Sequence, residues 1–114
     1  MNALDQTIAQ LANAQQQLLT VRNNKSLPMD VRIAAATEYA EVSHRLLIVL
    51  GKQLAKDVAD LKPLSDKVKQ AYSELTEVLG NIEKAEEVVK STTKFLEVVD
   101  DLIDTAKPFL KFMA

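Results

Sequence analysis

With 114 residues the chain is long enough for one hydrophobic core and too short for two, so a single domain is expected. Its 47% hydrophobic content comes with only 4% aromatic residues, two glycines and three prolines, which favours helices packed through aliphatic side chains over a sheet with many turns. A net charge of -2, from 14 basic and 16 acidic side chains, lacks the basic footprint of phosphate-backbone binding, and the absence of cysteine removes disulfide and thiolate chemistry.

From Asn2 to about Asn23, Leu4, Ile8, Leu11, Leu18 and Val21 recur at helical spacing, with Ala12 and Leu19 widening the stripe. This is helix one. Gln15 takes the seam position between Leu11 and Leu18, either as a polar group at the bundle edge or as a buried polar group that fixes register. Asn23-Asn24-Lys25-Ser26 reads as a turn, and Ser26 before Leu27-Pro28 opens a second helix, since proline in a first turn forfeits no hydrogen bond.

Helix two is expected over about 27–61, with Ile33, Ala36, Ala40, Leu47, Leu50, Leu54, Val58 and Leu61 near one face. Its middle, Leu46 to Leu50, is apolar around most of the circumference, so a third helix or a second subunit should cover it. Gly51 is assigned to close packing, with a local break as the alternative. Pro63 ends or kinks the helix, and a tight hairpin there is favoured over a rod of about 130 Å.

Helix three is expected over about 64–107, followed by a short tail, 108–114. Leu64, Val68, Ala71, Leu75, Val78, Ile82, Ala85, Val89, Thr92, Leu96, Val99, Ile103, Ala106, Leu110 and Met113 keep an unbroken 4,3 alternation, which argues for one helix or two nearly collinear ones, with Gly80 inside the helix. A second row, Val88, Phe95, Leu102 and Phe109, widens the apolar face towards the carboxyl end, and Pro108 kinks or ends the helix. The fold expected is all-α: three antiparallel helices dominated by a long, coiled-coil-like hairpin whose last helix overhangs helix two. Val98, Leu102, Ile103, Phe109, Leu110, Phe112 and Met113 would then form an uncovered self-association surface.

Chemistry is sparse. Glu41-Val42-Ser43-His44 has the Glu-x-x-His step of carboxylate-bridged di-metal bundles, but such sites use two steps and the chain has one histidine. Ser43 and His44, adjacent on a helix, point about 100° apart and cannot act as nucleophile and base on each other. Glu86-Glu87 and Asp100-Asp101-Asp104 read as solvated helix faces with lysine partners. Neither an enzyme nor a resident metal or cofactor is expected.

Met1–Gln10 has no positive n-region or apolar h-region, and the longest apolar run, Leu46 to Leu50, is far short of the roughly 20 residues that span a bilayer. The sequence therefore leads to a cytoplasmic helical scaffold or adaptor that forms a homo-oligomer and binds no nucleic acid. The alternative is a membrane-associating or signal-independently exported protein that uses the apolar segment around Lys107 and Lys111.

Overall fold

A computed structural model describes residues 2–55, 58 and 60–112. Among them are four α-helices and two short strands: α1 (Ala3–Asn23), α2 (Met29–Val49), β1 (Lys52–Leu54), α3 (Leu61–Leu79), α4 (Ala85–Ala106) and β2 (Leu110–Phe112), the last preceded by a 3-10 turn at Lys107–Phe109. The helical class matches the sequence reading; the three-helix arrangement gives way to four.

Helix α1 starts where expected because the Asn2 side chain accepts the Asp5 amide at 2.9 Å, satisfying one of the donors left open at a helix start. It pairs antiparallel with α2. Gln15 Nε2 donates to Ser43 Oγ at 2.8 Å, and Arg32 Nε to the Arg22 carbonyl at 2.9 Å. Gln15 is thus a half-buried polar link between the two helices.

Helix α2 stops at Val49 instead of continuing to residue 61. Gly51 has φ +80°, and a Cβ placed on it would meet nothing within 4 Å, so its role is the left-handed turn that ends the helix and not close packing. The reversal expected at Pro63 occurs earlier, between residues 50 and 60. Pro63 sits in the first turn of α3, where its missing amide costs nothing.

The long third helix is two helices. α3 ends at Leu79, with Gly80 donating to the Thr76 carbonyl at 3.1 Å, and α4 starts after Lys84, whose amide is accepted by the Glu87 carboxylate at 2.9 Å. The intervening turn leaves the heptad count undisturbed, so an unbroken seam did not mean an unbroken helix. Folded back, α3 and α4 close on each other through Tyr72 against Phe95, ring centroids 6.0 Å apart, and Lys94 on Glu74 at 2.7 Å.

The two hairpins stack with like helices alongside: α3 packs on α1, and α4 on α2. Gln17 Nε2 reaches Tyr72 Oη at 3.3 Å across the first contact, and Arg45 reaches Asp100 across the second. The core between them holds Leu4, Leu11 and Leu18 of α1, Val42 of α2, Leu75 of α3 and Phe95 of α4, all fully buried. Both apolar rows of α4 are used, since Val88, Phe95 and Leu102 are buried with Thr92, Leu96, Val99 and Ile103; Val89, on the expected seam, is exposed. Thr92 satisfies its hydroxyl on the Val88 carbonyl at 2.7 Å.

β1 follows α2 and β2 follows α4, so the chain repeats helix, helix, strand. The strands pair antiparallel, Lys52 with Phe112, Gln53 with Lys111 and Leu54 with Leu110, and Leu54 and Leu110 pack on the core. The tail therefore folds back onto this end of the bundle instead of overhanging it.

Candidate functional site

The residues expected to overhang are largely taken up within the chain. Leu102 and Ile103 are buried, Val98 and Leu110 are half-buried against the core, and Phe109 is half-buried with its carbonyl accepting the Ala55 amide at 2.7 Å. Phe112 alone of the described members is open, 79% exposed, with Lys52 Nζ 5.5 Å from its ring centroid. Met113 lies outside the described residues. The expected surface is overturned because α4 reverses at Gly80 and carries its apolar face back into the bundle.

An open apolar face is present elsewhere, on α2. This helix carries two seams at helical spacing. One comprises Val31, Ala35, Glu38, Val42 and Val49; the other comprises Met29, Ile33, Ala36, Ala40 and Leu47. The bundle buries the first, with Glu38 in its middle, and turns the second outward. Met29 is 64%, Ile33 58% and Leu47 73% exposed, and Leu50 just beyond the helix is also exposed. At about 100° per residue, Thr37 and His44 border this outer strip on one side and Ser43 on the other, and no Asp, Glu, Lys or Arg falls within it. From Met29 to Leu47 it runs about 27 Å at 1.5 Å per residue.

Comparison with protein-family models, curated proteins and solved structures finds no match. The surface chemistry of the chain carries the functional reading on its own.

The buried seam makes the outward one more telling. Glu38 lies in a cleft of about 330 Å³ between α2 and α4, lined also by Glu41, Arg45, Thr93, Glu97 and Asp100. Burial first, then the neighbouring Glu41 carboxylate, push the Glu38 carboxyl above its usual range, and Arg45 offsets part of this. Arg45 is itself committed: Nε and Nη2 donate to the two Asp100 oxygens at 3.1 and 3.2 Å, and Nη1 pairs with Glu41. These bonds, chiefly the one to Asp100, hold the guanidinium in its charged form. The cleft is a polar joint between helices, with its cation already engaged by carboxylates.

His44 is exposed on α2, and among the described residues no three His, Asp or Glu side chains come together as metal ligands would. Among the same residues, no helix is long and apolar enough to cross a membrane. The second seam of α2 was visible in the sequence as an apolar circumference at Leu46 to Leu50. What was missing was the choice of face, because the seam with the charged residue was the one taken inside.

Proposed function

We propose that this chain is a non-enzymatic helical interaction module whose binding surface is the outer face of α2. The observation that carries this reading is an inversion: the helix buries Glu38 while leaving Met29, Ile33 and Leu47 in water. Burying a carboxylate costs free energy, and fully burying a leucine or isoleucine is worth about 1.5–3 kcal/mol, so the bundle that takes in Val31, Val42 and Val49 beside Glu38 still forgoes the burial of Ile33 and Leu47. A partner covering the outer seam restores the balance, because both seams are then dry. Large aliphatic side chains along a charge-free strip are the composition of an interface centre.

The test is a photo-crosslinking residue placed at Leu47, and in a separate chain at exposed Lys69 as control, expressed in the native cells. Discrete adducts from position 47, lost when Ile33→Glu is added, are expected. Absence of adducts, or equal yield from both positions, rejects the surface.

A further inference from the structure

The occupant of this face can be specified further, and the inference rests on the reading of α2 as a docking surface. We infer that it is a second copy of the same chain, laid antiparallel across α2 with a twofold axis passing between Ala36 and Ala40. The outer seam is self-complementary about that point. Reversing it sets Ala36 against Ala40 and Met29 against Leu47 of the second copy. Alanines at the centre let the two backbones approach closely. Helices that cross at an angle diverge on either side of the crossing, and the larger Met29 and Leu47 fill the widening gap.

The polar side chains along the border agree with the same geometry. Asp30 and His44 are both exposed on one flank of the seam, and reversal places Asp30 of each copy beside His44 of the other. No pair of like charges is brought together on this flank, where Thr37 occupies the middle. The contact is isologous, so it closes at two copies and does not propagate. A lipid surface is a poorer occupant. The seam has no aromatic residue, its centre is two alanines, and one flank carries Asp30 and Glu41, while Arg32 on the other is bonded to the Arg22 carbonyl.

Sedimentation equilibrium on the full chain, from micromolar to millimolar concentration, should give twice the 12.6 kDa chain mass. Met29→Glu/Leu47→Glu sets like charges across the axis and should be monomeric, with an unchanged far-UV circular dichroism spectrum because both positions are exposed. Met29→Lys/Leu47→Glu sets opposite charges across the axis and should dimerise roughly tenfold or more tighter than the Glu/Glu chain. A parallel pair would instead place like charges together in both variants, so equal weakening overturns the antiparallel geometry. A wild-type chain that stays monomeric throughout overturns the dimer. If position 47 still gives adducts with another protein in cells, the docking surface survives this failure; if it gives none, both readings fall. Flotation of a monomeric wild-type chain with phosphatidylserine-containing vesicles, lost in Leu47→Glu, would assign the face to lipid and likewise overturn the dimer.

Discussion

Gly51 and Gly80 both end helices, and the backbone separates their roles. Gly51 holds φ +80°, a region in which an L side chain costs roughly 1–2 kcal/mol, whereas Gly80 stays right-handed and a Cβ there would meet the Thr76 and Glu77 carbonyls at 3.5 and 3.6 Å, ordinary contact. Gly51→Ala should therefore lower stability by about 1 kcal/mol, and Gly80→Ala should be neutral or slightly stabilising, as read by urea unfolding. Equal effects would remove the left-handed turn from the account of how α2 stops. Glu38 gives a second residue-level expectation. Its carboxyl is raised in the folded chain, so over the pH range between its unfolded and folded values the native state binds more protons, and stability falls as pH rises. The penalty grows as pH rises through that range and is relieved as pH drops towards the ordinary carboxylate range. Glu38→Gln should melt higher than wild type at pH 7, and the gap should close near pH 4. A gap that stays constant with pH would mean that burial of the charge is not its source.

Between elements, the joint of α2 and α4 rests on Arg45 and Asp100. Two parallel N–H to oxygen bonds on a half-exposed pair are worth about 1 kcal/mol, more than a mobile surface contact such as Lys62 on Asp66 at 3.5 Å. A double-mutant cycle with Arg45→Met and Asp100→Asn should return a coupling of that size, and the equivalent cycle on Lys62 and Asp66 should return close to zero. The elements themselves were unevenly legible. The first helix was readable to within a residue because its stripe and the Asn23-Asn24 turn agree locally. Helix two was read too long because Leu54, Val58 and Leu61 continue its spacing. β1 exists through β2, which lies more than fifty residues away in sequence. A three-residue strand paired at that distance has no periodicity to detect, and the apolar end of the chain read as an overhang for the same reason. Ile33, Ala36, Ala40 and Leu47 of the outer seam were read as one face with Leu54, Val58 and Leu61, which lie beyond α2, and spacing alone does not say which of two apolar seams a neighbour will occupy.

On the scale of the whole molecule, the decisive feature is that the chain reverses at Gly80–Lys84. One continuous helix of about 43 residues would reach some 65 Å at 1.5 Å per residue, whereas the protein measures 46 × 27 × 19 Å. Reversal lets α4 pack on both α3 and α2, so a single chain does what the long hairpin would have needed a second subunit to do. Connection length then matters little, because α3 and α4 are held together at mid-helix by Tyr72, Phe95, Glu74 and Lys94 and not by the turn. Inserting Gly-Ser-Gly-Ser after Asn81 roughly doubles the loop, which costs about 0.6 kcal/mol of closure entropy. In a continuous coiled coil the same insertion would be a stutter that locally unwinds the supercoil, and it would add four poor helix formers to the middle of the rod. A cooperative melt displaced by only a few degrees is the expected result. Loss of cooperative unfolding or of half the helical signal would instead show that the two segments are one helix in solution, and the outward seam of α2 would then have to be reassigned to contacts within such a rod.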